Sequence, residues 1–152
     1  MRRKDREITD RKKIESIIHK ASICRLAMVD DNGPYIVPLC FGYREMVLYF
    51  HSAKKGKKLN LLKKNNRVCF EIDIDCKIKS DNKACEWGMG YQSVIGYGNV
   101  EFIEDFETKK EALNEIMANY SEKPFDFKES ETRKVTVFKV RISDMTGKQA
   151  QL

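Results

Sequence analysis

Apolar residues recur along the chain with two different periods. Between Thr9 and Ser22 they fall three and four residues apart, which predicts a short amphipathic helix capped by Thr9 or Asp10. The stretches 57–64 and 107–119 show the same helical period. Between the helices, shorter runs of β-branched and aromatic residues alternate with polar ones and predict strands. Six strands are predicted, over residues 23–29, 35–41, 46–51, 67–75, 91–103 and 135–142.

Turn residues join the first three strands. Residues 30–34 contain an Asn-Gly step, which accepts positive φ and predicts a hairpin, and residues 42–45 predict a second turn. Pro38 lies inside the middle strand. Because proline has no N–H, we expect this position at an edge, at a bulge, or where a ligand meets the backbone. Gly96 and Gly98 in the fifth strand predict a bulge or the close approach of another backbone.

Length and composition fit a single globular domain over residues 1–152. Six mostly antiparallel strands with peripheral helices predict a mainly β fold, a small closed or half-open barrel. With 41% apolar and 34% charged residues the chain can bury one core, and its length excludes a two-domain Rossmann enzyme. The charged start lacks the apolar segment of a secretory signal, and the five cysteines are odd in number. We therefore expect a cytoplasmic protein with no membrane partner and no metal site.

The positive charge of the chain is concentrated in one segment. Lys and Arg outnumber Asp and Glu by 29 to 23, and residues 54–67 contain seven basic residues and no acidic one. A strand that ends near Ser52, a loop with Gly56 and a helix that opens on Lys57 and Lys58 offer a hydroxyl, free N–H groups and ammonium groups. This combination predicts a phosphate site. The alternative is a solvated basic helix face.

Four blocks of sequence form a recognisable set. They are Ile-Val-Pro-Leu at 36–39, Leu-Tyr-Phe-His-Ser-Ala-x-x-Gly-x-Lys at 48–58, Asn-Asn-Arg-Val-Cys-Phe at 65–70 and Tyr-Gln-Ser-Val-Ile-Gly at 91–96. Together they resemble the flavin-binding split-barrel superfamily of pyridoxamine 5′-phosphate oxidase, and within it most of all the 5-nitroimidazole-resistance (Nim) proteins. The resemblance implies a six-stranded antiparallel split β-barrel with peripheral α-helices. It also implies a homodimer with FMN in the groove between the subunits.

The resemblance implies roles at the basic segment that agree with the charge pattern. It places Lys57 and Lys58 on the FMN phosphate, with Ser52 as a hydroxyl donor. FAD is the alternative nucleotide, because one phosphate site serves either. His51 would lie beside the flavin as the candidate catalytic proton donor, since its ordinary pKa permits proton exchange near neutrality. The alternative for His51 is an ordinary polar residue at the end of a strand.

Two further groups of flavin-binding residues are implied. Val37, Pro38 and Leu39 would present main-chain groups to the edge of the ring system, which also accounts for a proline in a strand. Tyr91 and Ser93 would approach from the partner subunit. The alternative for Tyr91 is an aromatic residue that packs a core or a dimer face.

The function implied is an FMN-dependent oxidoreductase that reduces a small oxidised substrate, with nitroaromatics such as 5-nitroimidazole as candidates. Oxidation of vitamin B6 is disfavoured, because residues 145–152 lack the Arg-x-His ending of that enzyme. One alternative is a non-catalytic flavin carrier or sensor. Another is a polyanion-binding barrel that uses residues 54–67, but stacking aromatics do not interleave with these lysines, so no nucleic-acid partner is expected. We expect Trp87 to serve packing, and the alternative is that its loop, residues 84–90, forms one wall of the substrate site.

Overall fold

Eight strands form one antiparallel sheet in the computed structural model, which describes residues 3–150. The domain predicted over 1–152 also includes residues 1–2 and 151–152, which lie outside the described residues. The strands are β1 (Glu7–Ile8), β2 (Cys24–Asp30), β3 (Gly33–Leu39), β4 (Phe41–Arg44), β5 (Val47–Ala53), β6 (Arg67–Lys79), β7 (Gly88–Ile103) and β8 (Val135–Ala150). The helices are α1 (Arg11–Lys20), α2 (Lys57–Lys64), α3 (Phe106–Ala118) and α4 (Glu129–Thr132). No helix in this described part has the length and apolar character needed to cross a membrane.

The sheet runs in the order β3-β2-β6-β7-β8-β5-β4, with β1 paired to β8. Its two edge strands, β3 and β4, are separated in the chain only by Cys40, so the sheet must curl until its edges approach each other. This open, curled sheet confirms the predicted split barrel. The predicted count of six strands is too low. The run 35–41 divides between β3 and β4, and the two-residue β1 carries no alternating signal.

Two predicted boundaries are wrong for local reasons. The turn expected at 42–45 lies one step later, because β4 continues through Arg44 and the chain reverses at Glu45 and Met46. Both of these residues have positive φ, 47° and 67°, although neither is the Gly or Asn that usually marks such a turn. The last strand, predicted to end at residue 142, continues to Ala150 through an irregular register, where its alternation of apolar residues is lost.

Gly96 and Gly98 of β7 behave as predicted. A Cβ atom on Gly96 would overlap the ring of Phe70, and one on Gly98 would overlap the carbonyl oxygen of Arg141. The register of β7 against β8 shifts between Tyr97 and Gly98, which is the predicted bulge. These glycines let β7 lie close to its neighbours as the sheet curls.

Aromatic side chains fill the barrel and α1 packs against the same core. The rings of Phe50 and Phe138 stack with their centroids 5.3 Å apart and are fully buried. Ile14, Ile17 and Ile18 of α1 belong to the same cluster, which confirms the predicted apolar face of this helix. Its first turn is capped as predicted by the Asp10 side chain, which accepts a hydrogen bond from the Lys12 N–H at 2.9 Å.

The outer surface of the sheet has two apolar areas, one buried under a helix and one exposed. The covered face consists of Ile103 and Val137, which pack beneath Ala112, Leu113 and Ile116 of α3. The open face is a row across four neighbouring strands that no element within residues 3–150 covers. The strand register aligns the members of this row, which are Ile36, Ala27, Cys69 and Tyr97, with Val29 and Ile95 beside them.

Candidate functional site

The junction between β5 and α2, residues 51–58, forms what we call the β5–α2 corner. The chain leaves β5 at Ala53 and enters α2 at Lys57, as the helical period predicted. Gly56 precedes the helix with a φ of 145°, a conformation that other residues rarely adopt. No side chain caps this end of α2. Its first N–H groups are therefore free to bind an anion, as the sequence predicted.

The two lysines that open α2 have different surroundings. The Nζ atom of Lys57 lies 2.9 Å from a carboxylate oxygen of Asp30 and 4.6 Å from the ring centroid of Tyr35. This contact lowers the pKa of Asp30, chiefly through the hydrogen bond from Lys57. The charge of Lys57 is thus balanced within the chain by the β2–β3 hairpin.

Lys58, in contrast, is half-buried and has no carboxylate within ion-pair distance in residues 3–150. Burial lowers its pKa. The pKa of His51 is also lowered, first by burial and then by the charge of Lys58, so the imidazole and the ammonium are neighbours. The structure therefore brings together two of the predicted site residues, one of them a cation without a counter-ion.

The predicted main-chain segment lies on an edge strand. Val37 and Leu39 turn their side chains toward the core and are half-buried, whereas Pro38 between them is exposed. Because β3 has a strand neighbour on one side only, proline is tolerated there, and the prediction of an edge position is confirmed. The second edge of β3 leaves backbone groups open to a ligand.

The register of β4 and β5 brings this edge next to the corner. Phe41, the first residue of β4, pairs with Phe50, so Cys40 and the end of β3 at Leu39 lead toward Ser52. Ser52 is half-buried, and its hydroxyl donates a hydrogen bond to the carbonyl oxygen of Ala53 at 2.9 Å. The end of β3 and the corner are thus parts of one region of the surface.

Two predicted site residues lie far from this region within one chain. Ser93 pairs with Lys148 on β8, whereas His51 pairs with Val137 on the same strand. These two partners are eleven positions apart on β8, which corresponds to a path along the strand on the order of 35 Å. Tyr91 lies farther still along β7, with its ring 5.8 Å from the Nζ atom of Lys148. One copy of the chain therefore does not bring these two residues to the β5–α2 corner.

The hairpin between β6 and β7 carries the tryptophan. Trp87 is 54% exposed and its indole N–H donates to the carbonyl oxygen of Asp81 at 2.6 Å, so the expectation of a packed tryptophan is wrong for the isolated chain. Nearby Cys76 and Cys85 are exposed and free. Within residues 3–150, His, Cys, Asp and Glu side chains do not gather in the groups of three that could hold a metal ion.

Comparison with known proteins places this geometry in a family. A family model described as pyridoxamine 5′-phosphate oxidase matches residues 10–149. The chain belongs to the pyridoxamine 5′-phosphate oxidase family. The match includes β3, the β5–α2 corner and both distant residues on β7, and it confirms the family resemblance of the sequence blocks. No curated protein sequence matches the chain.

Solved structures agree with the family and the fold. A Bacteroides thetaiotaomicron protein assigned to 5-nitroimidazole antibiotic resistance is 40% identical, with a TM-score of 0.85 over 94% of this chain and 86% of that one. An FAD- and heme-binding protein from Mycobacterium smegmatis is 16% identical, with a TM-score of 0.87 over 97% of this chain and 74% of that one. The flavocytochrome Anf3 from Azotobacter vinelandii is 17% identical, with a TM-score of 0.86 over 100% and 72% of the two chains. The last two similarities concern the fold alone.

Sequence reasoning missed two parts of this region. The sequence pattern places Asp30 only in a turn. In the structure its carboxylate contacts Lys57, so the end of β2 meets the start of α2, which is distant in sequence. Phe127 and Thr132, which lie near His51, come from a segment with no clear period. A local pattern carries no signal for such long-range contacts.

Proposed function

We propose that the chain binds FMN at the β5–α2 corner and uses it to reduce a small oxidised molecule, for which nitroaromatics such as 5-nitroimidazole are the candidates. The observation that carries this proposal is Lys58, a half-buried ammonium beside the uncapped end of α2, without a carboxylate partner in residues 3–150. Burying a cation without a counter-ion is unfavourable, and a phosphate group supplies the missing charge. The 40% identical Bacteroides thetaiotaomicron protein supports nitroaromatics as the candidate substrates.

The phosphate contact is expected to depend unequally on the two lysines. Lys58 is the principal ligand in this proposal, because the charge of Lys57 is already balanced by Asp30. Lys57 then has two roles, as a weaker charge near the phosphate and as a link that holds α2 against the β2–β3 hairpin. Ser52 adds a hydroxyl after a small rotation away from its own backbone.

The rest of the flavin is proposed to lie along the edge of β3. Every second residue of the segment 37–39 turns its backbone groups to the open edge of β3, where they suit hydrogen bonding to a planar ring system without side-chain specificity. The bound flavin supplies the electrons for reduction, a chemistry that protein side chains lack. His51 is the proposed proton donor, because it is the titratable group beside Lys58.

We place the complete site between two copies of the chain. Tyr91 and Ser93 are too far from His51 to share its site in one copy. In a dimer whose two sheets pack antiparallel through the open face, each end of one sheet lies beside the opposite end of the other. This arrangement would bring Tyr91 of the partner subunit toward the β5–α2 corner. The open face favours this arrangement, because Ile36 and Val29 are each 60% exposed and a monomer rarely leaves such a patch uncovered.

Titration of FMN into the flavin-free protein tests this proposal. We expect Lys58→Ala to raise the dissociation constant more than tenfold and Lys57→Ala to raise it by about threefold. Lys63→Ala is the matched control, because Lys63 is an exposed lysine on the last turn of the same helix. Equal losses for all three variants, or no loss for Lys58→Ala, would contradict a phosphate site at the corner. A parallel titration with FAD decides between the nucleotides.

Repeated turnover distinguishes a catalytic flavoprotein from one that only stores flavin. We expect His51→Ala to keep flavin and to lower the rate at which NADPH is oxidised in the presence of a nitroaromatic acceptor. A wild-type protein that holds flavin but shows no repeated turnover would instead be a carrier or sensor.

A further inference from the structure

A cavity lies beside His51 on the outer side of β5, next to the β5–α2 corner. It has a volume of about 230 Å³ and lies where the C-terminal half of α3 meets the returning segment that contains α4. Its walls are mostly apolar. The lining residues are His51, Leu113, Ile116, Met117, Phe127, Glu131, Thr132 and Val135.

Two of the three polar groups that line this cavity are already engaged. The Glu131 carboxylate accepts a hydrogen bond from the Lys128 N–H at 2.9 Å. The Thr132 hydroxyl donates to the carbonyl oxygen of Glu129 at 3.0 Å, and this residue is almost fully buried. The imidazole of His51 makes no side-chain hydrogen bond with any residue in 3–150. It is therefore the polar lining side chain that makes no side-chain hydrogen bond within this part of the chain and can form one with a ligand.

Size and polarity define what the cavity accommodates. A cavity of about 150 Å³ with apolar walls is large enough for benzene, so about 230 Å³ accommodates one ring with one or two small substituents. A charged group would lose its water here, and an anion would also face the Glu131 carboxylate, whereas a cation would face the Lys58 ammonium beside His51. Charged ligands are therefore unfavourable. The ligand that fits is uncharged, carries a single ring, and has one polar substituent.

We propose that this cavity is the substrate pocket, and that it binds an uncharged single-ring molecule whose polar substituent hydrogen-bonds to His51. The proposal rests on the proposed flavin function, and it assigns the substrate to a place different from the phosphate site. His51 is shared by both, because its other neighbour is Lys58. The lowered pKa of His51 fits this role, since a neutral imidazole both donates and accepts a hydrogen bond.

The test uses phenol as an uncharged probe and benzoate as a charged probe of similar size. The chain has only two histidines, so an NMR spectrum of protein with labelled histidine shows His51 directly, with His19 as an internal reference. We expect phenol to shift the His51 signals in a saturable way and benzoate to bind at least tenfold more weakly. Equal shifts of both histidines, or equal effects of both probes, would overturn the proposal.

Filling the pocket with a larger side chain gives a second, independent test of phenol binding. Met117 is half-buried and lines the cavity, so Met117→Trp should reduce phenol binding at least tenfold, whereas Met117→Leu keeps the volume and should retain it. The FMN titration distinguishes this proposal from the proposed function. Unchanged FMN binding with lost phenol binding supports a separate pocket. Unchanged phenol binding in a folded Met117→Trp variant refutes the pocket, and loss of FMN binding in this variant refutes its separation from the flavin site.

Discussion

The covered face and the open face are built from the same sheet by the same alternation of residues, yet only one of them is buried. Ile103 and Val137 are buried because α3 follows β7 directly and folds back over them. Ile36 and Tyr97 lie on the other half of the sheet, where no helix within residues 3–150 reaches, and they remain 60% and 46% exposed. The covered face therefore contributes to folding of one chain, and the open face is suited to assembly.

The largest difference is expected in chain stability. Ile116→Ala leaves a cavity between α3 and the covered face and should lower the free energy of unfolding by about 2–5 kcal/mol. Ile36→Ala removes a similar side chain from the open face and should change it by less than about 0.5 kcal/mol. Denaturant unfolding at low protein concentration measures both. Similar losses for the two variants would show that the faces do not differ in this way.

A charge on the open face should affect assembly rather than folding. In Ile36→Lys the new ammonium would lie in an apolar interface, so we expect dimer affinity to fall at least tenfold while the circular dichroism spectrum is unchanged. Sedimentation measures the affinity. Ser16→Lys is the matched control, because Ser16 is exposed on α1. A monomeric wild-type protein would contradict the role given to the open face.

Cysteine reactivity reports whether a second copy covers the open face. Cys69 is half-buried at the centre of the open face, where burial raises the pKa of its thiol, whereas Cys24 is fully buried in the core. We expect alkylation of Cys69 to be several-fold slower in the wild-type dimer than in Ile36→Lys, measured by mass spectrometry of peptides. Cys24 should stay unreactive in both proteins. A Cys69 rate that is the same in both would indicate that nothing covers it.

The smallest effect concerns pH. Burial, and then the charge of Asp73, raise the pKa of Glu71 on the open face. The folded chain thus holds this proton more tightly than the unfolded chain, so the contribution of Glu71 to stability grows as pH falls through its folded pKa and is lost as pH rises.

Comparison with Glu71→Gln isolates this contribution, because all other carboxyl groups are common to both proteins. Between pH 7 and pH 5 we expect wild type to gain, relative to the variant, less than about 1 kcal/mol in the free energy of unfolding. If the proposed second copy covers Glu71, the gain should be larger at high protein concentration. A difference between the two proteins that stays constant with pH would contradict the raised pKa.

Local pattern predicted the parts of the fold that depend on neighbours in sequence. The helix at 57–64 matches α2, and the Asn-Gly step predicted the hairpin of β2 and β3, where Gly33 has a φ of 112°. The turn predicted at 42–45 lies one step later, at Glu45 and Met46, because its positive φ values are imposed by pairing of β4 with β5 rather than by residue type.

The candidate site also contains features that depend on neighbours in sequence and features that depend on long-range contacts. Lys58 and His51 are close in sequence, so one motif predicted both, and the structure adds that they are neighbours and that Lys58 is half-buried. The contact of Lys57 with Asp30 and the cavity under α4 depend on segments that meet only in the folded chain. The separation of Ser93 from His51 likewise follows from the register of β5 and β7 on β8, which no local pattern contains.

One experiment measures assembly and cofactor together: size-exclusion chromatography with light scattering and visible flavin absorbance, for wild type and Ile36→Lys after incubation with FMN. For wild type we predict a species of twice 17.7 kDa with one flavin per chain. For Ile36→Lys we predict a folded monomer that elutes without flavin. A monomer that retains flavin would contradict a site completed by a second copy, and a colourless wild-type dimer would contradict the flavin site itself.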